Sequence, residues 1–168
     1  MGLTDQTSAI RKGEELPGKQ VEAFIRDEIE GVKGPVIVRQ FPRGHSNLTY
    51  LISAGEREMV LRRPPHGTKA KSAHDMGREF RILKALQEVY PYCPRPLAYT
   101  DDESIIGSPF YLMERVNGII VRRDFPEQME MTATDTTRLF ERILEVQNEL
   151  HAIDFQKIGL GDFGKIFP

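Results

Sequence analysis

The sequence predicts an α+β chain: a sheet of about five antiparallel strands with a helix packed on it, followed by the first helix of an incomplete helical part. Three observations carry this expectation. Short β-rich runs broken by Gly and Pro fill the middle of the chain, one stretch of helical apolar spacing interrupts them, and a long helical period follows only after Asn117-Gly118.

The elements follow in order. From Pro17 to Glu30 the apolar residues Val21, Phe24, Ile25 and Ile29 fall on one helical face, with charges opposite and Gly31 as a stop. Strands are expected at Val36 to Phe41, Leu48 to Ser53 and Met59 to Arg62, with Ser53-Ala54-Gly55-Glu56 as the hairpin turn between the second and third. Pro64 and Pro65 end the third strand, because neither can donate a ladder hydrogen bond. Met76, Phe80, Leu83 and Leu86 mark a helix over Ala73 to Val89 whose apolar stripe faces the sheet. Pro91, Pro94 and Pro96 close it. Leu97 to Thr100 and Phe110 to Met113 are two further strands around a turn at Asp101 to Ser104. Leu139, Ile143, Val146 and Leu150 then define a helix over Thr132 to His151, opened by the capping-box pattern Thr132-x-x-Asp135. That helix has no later element on which to bury its stripe, so a covering lobe or a second copy of the chain is expected there. The chain thus divides into a lead-in over residues 1–35, a sheet unit over 36–116, and a linker with a helical beginning over 117–168.

Composition narrows the function classes. With 39% hydrophobic and 29% charged residues, the chain has the balance of a globular protein. A formal net charge of -2 gives no general attraction for nucleic acid or anionic lipid. A basic patch of Arg62, Arg63, Lys69 and Lys71 is the one feature that would favour nucleic acid, and no aromatic run interleaves it. Cys93 is the only cysteine, which excludes an internal disulfide and fits a reducing compartment. The first residues lack the basic start and apolar run of a secretory signal, and no stretch is apolar enough to cross a bilayer, so a cytoplasmic location is expected.

Three segments carry chemistry. Gly44-His45-Ser46-Asn47 places a glycine and small polar groups between the first two strands, where backbone N–H groups could close over phosphates; a plain β-turn would use the same residues. On the third strand, alternation puts Val60 and Arg62 on one face, and Leu61 and Arg63 on the other. If the first face lines a cleft, Val60 can cover a flat base while Arg62 reaches toward phosphate. Glu79, on the following helix, is placed to partner Arg62; the alternative is a solvated surface pair of little energetic weight. The last strand runs into Glu114-Arg115-Val116-Asn117-Gly118, where the Glu114 C=O and Val116 N–H suit the edge of adenine. Met113 would limit the depth of the base pocket or be ordinary core.

In this order the parts resemble the small lobe of a protein-kinase-like fold. The wording Gly44-His45-Ser46-Asn47-Leu48-Thr49-Tyr50, Val60-Leu61-Arg62-Arg63-Pro64-Pro65, Ala73-His74-Asp75-Met76 with Arg78-Glu79, and Tyr111-Leu112-Met113-Glu114 resembles the aminoglycoside phosphotransferase family, in particular its branch with acyl-CoA dehydrogenase-associated kinase-like domains. The resemblance runs from about Val36 onward. It implies an ATP site with Gly44, His45, Ser46 and Asn47 over the phosphates, Val60 and Met113 at the base, Glu114 and Val116 at the adenine edge, and Arg62 with Glu79 where kinases pair lysine with glutamate. Arginine is a departure from the aminoglycoside-modifying members, and its planar fork contacts phosphate differently from an ammonium.

His151-Ala152-Ile153-Asp154 and Asp162-Phe163-Gly164 mimic a protein-kinase catalytic loop and magnesium motif, but the asparagine required after the aspartate is missing from Phe155 to Leu160. In the resembled family the catalytic aspartate lies in a later His-Gly-Asp segment, with magnesium ligands beyond it, and none of these occurs in the sequence. The expectation is therefore the nucleotide-binding portion of an ATP- and magnesium-dependent phosphotransferase acting on a small-molecule hydroxyl, inactive by itself. The alternative is a non-catalytic nucleotide- or partner-binding module.

Overall fold

The computed structural model describes residues 4–42, 47–65, 67, 74–121, 124–126 and 128–164. Its elements in chain order are α1 (Gly18–Glu28), β1 (Val36–Gln40), β2 (Leu48–Ala54), β3 (Arg57–Arg63), α2 (Met76–Leu86), β4 (Pro96–Thr100), α3 (Glu103–Ile106), β5 (Phe110–Glu114) and α4 (Ala133–His151). The five strands form one antiparallel sheet in the order β1-β2-β3-β5-β4.

Helices cover the sheet on both faces. The stripe expected on α1 is real: Val21 and Ile25 are fully buried, with Ile29 nearly so, against Tyr50, Ile52, Met59, Leu61 and Leu112. Phe24 meets Phe110 edge to face at 4.9 Å. Alternation along β2, β3 and β5 sends these residues to the α1 side and leaves Thr49, Leu51, Val60, Arg62, Tyr111 and Met113 on the other. α2 packs on that second face, with Phe80 stacked on Tyr99 and tilted against Tyr111. Gly77 permits the close approach, since a Cβ there would lie 2.9 Å from the Tyr99 hydroxyl.

Several boundaries move for local reasons. Ala54 pairs with Arg57, which leaves Gly55-Glu56 as a two-residue hairpin turn inside the expected four. Gly55 has φ +63°, and a Cβ would sit 2.9 Å from the Lys33 carbonyl oxygen. Asp75 caps α2 by accepting from the Arg78 N–H, so the helix begins at Met76; Ala73 lies outside the described residues. The turn expected at Asp101 to Ser104 is instead the start of the one-turn helix α3. Asp102 caps it through the Ser104 N–H, and Gly107 ends it at φ +79°. One helical turn is too short to show a period in sequence.

The N-terminal segment lies along β1, where Ser8 and Gln40 exchange both backbone hydrogen bonds. Gln40 is fully buried, and its side chain accepts from the Arg11 N–H at 2.9 Å and donates to Glu14. Arg63, counted in the basic patch, is also buried on the α1 face and donates to the Ile106 carbonyl. It presents no cation to a polyanion. Lys69 and Lys71 lie outside the described residues.

α4 carries the expected capping box between Thr132 and Asp135. No residue of the helix is buried, and Phe140, Ile143, Leu144 and Leu150 are exposed. Its links to the sheet unit include Tyr90 Oη donating to the Val146 carbonyl at 3.1 Å and Arg142 over the Tyr92 ring. No helix among the described residues is long and apolar enough to cross a membrane.

Candidate functional site

The face of the sheet away from α1 carries two adjacent rows of side chains. Leu51, Val60 and Met113 are Cα partners across β2, β3 and β5. One step along lie Thr49, Arg62 and Tyr111. The first row is apolar and the second polar, so one surface offers a base-sized apolar wall beside a cation.

The apolar row opens into a cavity of about 570 Å³ lined by Phe41, Thr49, Val60, Met113, Glu114 and Val116, with Asp5 of the N-terminal segment also at its wall. Val60, singled out by alternation on the third strand, and Met113, Glu114 and Val116, singled out where the last strand runs into the linker, thus meet in one concavity. The Val116 N–H has no hydrogen-bond partner among the described residues, and Val116 is 70% exposed. Met113 lines the cavity instead of sitting wholly in the core.

The polar row converges on Glu79. Its Oε1 accepts from Asn47 Nδ2 at 2.7 Å, and its Oε2 accepts from Tyr111 Oη at 2.9 Å. Arg62 Nε lies 3.4 Å from the same Oε2, close enough for an ion pair but without the alignment of a hydrogen bond. Among the described residues the terminal nitrogens of Arg62 make no hydrogen bond, while its side chain is 31% exposed. A guanidinium steered by one carboxylate with its fork unengaged is suited to an anion with several oxygens. Burial raises the Tyr111 phenol far above its usual pKa; Arg62 opposes the rise and Glu79 reinforces it, so the hydroxyl stays a proton donor.

Arg62 and Glu79 therefore approach as expected, but they are not a free surface pair. Glu79 holds two side chains that are almost wholly buried, Asn47 and Tyr111. Tyr111 was legible in principle, since alternation from Met113 puts it on the cleft face. His74, whose Nδ1 lies 2.7 Å from Asn47 Oδ1, left no signal, because that contact spans 27 residues of chain. Gly44, His45 and Ser46 lie outside the described residues.

The kinase-motif mimics have local roles. Asp154 Oδ1 accepts from the Gln156 and Lys157 N–H groups. Asp162 pairs with Arg81 at 3.3 Å, and the Phe163 ring lies 4.9 Å from both the Arg78 and Arg81 guanidinium carbons. Among the described residues no three His, Cys, Asp or Glu side chains converge to hold a metal ion.

An antiparallel sheet with a helix on its cleft face, and a last strand running into a linker, is the α+β small lobe of a kinase-like fold. Residues 37–167 match the phosphotransferase enzyme family, and the chain belongs to it. It is 36% identical over 160 residues to acyl-CoA dehydrogenase family member 10 of Mus musculus, covering 95% of this chain and 15% of that protein. It is 31% identical over 168 residues to acyl-CoA dehydrogenase family member 11 of Rattus norvegicus, covering 98% of this chain and 21% of that one. A crystal structure from Ralstonia eutropha, of a protein assigned as an aminoglycoside phosphotransferase, matches with TM-score 0.74 and 31% identity over 90% of this chain and 43% of its own. The chain spans about a fifth or less of the length of these curated relatives.

Proposed function

We propose that the chain is the nucleotide-binding portion of an ATP-dependent phosphotransferase that phosphorylates a hydroxyl group of a small molecule. The observation that carries this reading is the pair of adjacent rows on one sheet face, apolar at Val60 and Met113 and cationic at Arg62, beside a cavity of about 570 Å³. Adenine would lie flat against the wall formed by Val60 and Met113, with its edge toward the Glu114 C=O and Val116 N–H. The phosphates would extend along the sheet toward Arg62. In such chemistry the protein contributes mainly positioning and charge stabilisation, and these residues supply both for the nucleotide.

The hydroxyl's proton acceptor and the magnesium ligands are a different matter. No His-Gly-Asp segment occurs in the sequence, and no metal-ligand cluster occurs among the described residues. We infer that a longer polypeptide supplies those groups and that this chain binds nucleotide without turning it over.

Calorimetric titration of the purified chain with Mg·ATP tests the reading. Saturable binding that Val60→Glu abolishes is expected, with no ATP consumption. Absence of binding by the unaltered chain, or binding indifferent to Val60→Glu, would overturn it.

A further inference from the structure

The side chain of Asn47, at the head of β2, is 5% exposed and spoken for at both ends. Its Nδ2 lies 2.7 Å from Glu79 Oε1, and its Oδ1 lies 2.7 Å from His74 Nδ1. The amide orientation follows from chemistry. Reversing it would set the amide oxygen against a carboxylate oxygen at the same distance, two acceptors with no proton between them. Nδ2 therefore faces Glu79, Oδ1 accepts, and His74 Nδ1 must carry the proton.

We propose that Asn47 is a positioning residue: it couples the start of β2 to α2 by fixing the Glu79 carboxylate, and through it the Arg62 guanidinium, without touching the nucleotide through its own side chain. This rests on the proposed nucleotide site and deepens it by moving Asn47 from the phosphate contacts to the apparatus that aims Arg62. Geometry supports the assignment in three ways. Glu79 Oε1 is held by Asn47, which leaves Oε2 for Tyr111 and Arg62. Tyr111 comes from β5 and Asn47 immediately precedes β2, so the carboxylate is gripped from either side of β3, the strand bearing Arg62. His74, just before the Asp75 cap, ties the other end of the amide to the entry of α2. A small shift of α2 against β2 would thus change where the guanidinium points.

The test uses the 168-residue chain and two readouts. The ¹⁵N resonance of the Arg62 Nε–H, assigned by its loss in Arg62→Lys, reports the guanidinium without any ligand. Calorimetry reports Mg·ATP affinity. Asn47→Ala and the near-isosteric Asn47→Asp, which sets a carboxylate against Glu79, should both displace the resonance in the same sense as Glu79→Gln. Each should weaken Mg·ATP by about tenfold, a loss on the scale of one charge-assisted hydrogen bond. In an Arg62→Ala background, Asn47→Ala should cost nothing further, because its effect is transmitted through Arg62. An unmoved resonance, or losses from Asn47→Ala and Arg62→Ala that multiply, would overturn the proposal and make Asn47 a direct ligand. A displaced resonance in a chain that binds no Mg·ATP would support the coupling while overturning the nucleotide reading. If Asn47→Ala does not fold, Asn47→Asp carries the same comparison.

Discussion

Val60 and Met113 are Cα partners across β3 and β5, and both line one cavity, so two side chains on neighbouring strands form one continuous part of its wall. Shortening one should admit a larger base. Met113→Ala is expected to improve the affinity for N6-benzyl-ATP relative to ATP by at least about tenfold, the effect of burying one or two further apolar groups. Competition calorimetry with the two nucleotides measures it. An unchanged ratio would place the base elsewhere.

Glu79 and Arg62 should separate in their effects on stability. Removing the carboxylate leaves the nearly buried Asn47 amide and Tyr111 hydroxyl without their acceptor, a penalty of about 1–3 kcal/mol. Removing the one-third exposed guanidinium loses a screened ion pair, worth less than about 1 kcal/mol. Urea melts of Glu79→Ala and Arg62→Ala, compared with the unaltered chain, should rank in that order, while both variants bind Mg·ATP more weakly.

Alkaline pH should loosen the core through Tyr50. Burial pushes its phenol up to about 12, partly offset by Arg63, and its hydroxyl donates to the Glu14 carbonyl at 2.7 Å. With the folded pKa above the unfolded value near 10, the folded state holds the proton more tightly. This stabilisation is fully present below about pH 10 and is lost as pH rises through about 12, at up to roughly 1.4 kcal/mol per pH unit. Thermal melts from pH 8 to 11 should decline more steeply for the unaltered chain than for Tyr50→Phe.

Gly55→Ala should destabilise the β2–β3 hairpin by about 1–3 kcal/mol, since it combines a positive φ with a 2.9 Å approach to backbone that cannot swing aside. The melting temperature should fall with no change in the ATP affinity of the folded fraction. Gly34→Ala should be milder, because its nearest neighbour would lie at 3.6 Å.

The outer surface of α4 should be sticky. Phe140, Ile143 and Leu144 are each about half exposed, on a helix that buries none of its residues. We expect the chain to bind an apolar dye and to self-associate in sedimentation. Phe140→Glu with Ile143→Glu should suppress both and leave the melting temperature nearly unchanged.

Legibility in the sequence followed periodicity and parity. The stripe of α1, the capping box at Thr132 and the alternation of Val60, Leu61, Arg62 and Arg63 were all readable because each is written within a few consecutive residues. α3 and the end of the β2–β3 hairpin were not, because single turns are decided by one cap or one glycine. At the candidate site the strand residues Val60, Arg62 and Met113 were legible from alternation and order. The carboxylate's other partners were not: Asn47 lies 32 residues from Glu79, and only the packing of α2 against β4 and β5 brings Asn47, Tyr111 and Glu79 together.

The position of α1 bears on where this unit can be cut. The family match begins at Ile37, yet Val21 and Ile25 of α1, with Ile29 just after it, pack on the side of the sheet opposite the cleft. Three such aliphatic side chains contribute about 1.5–3 kcal/mol each on burial, together comparable to the whole net stability of an ordinary domain. A fragment trimmed to residues 37–167 would keep every proposed nucleotide contact among the described strand residues and expose to water the part of the sheet that α1 covers. Such a fragment should be recovered as aggregate, and supplying residues 4–35 as a separate peptide should restore a soluble complex.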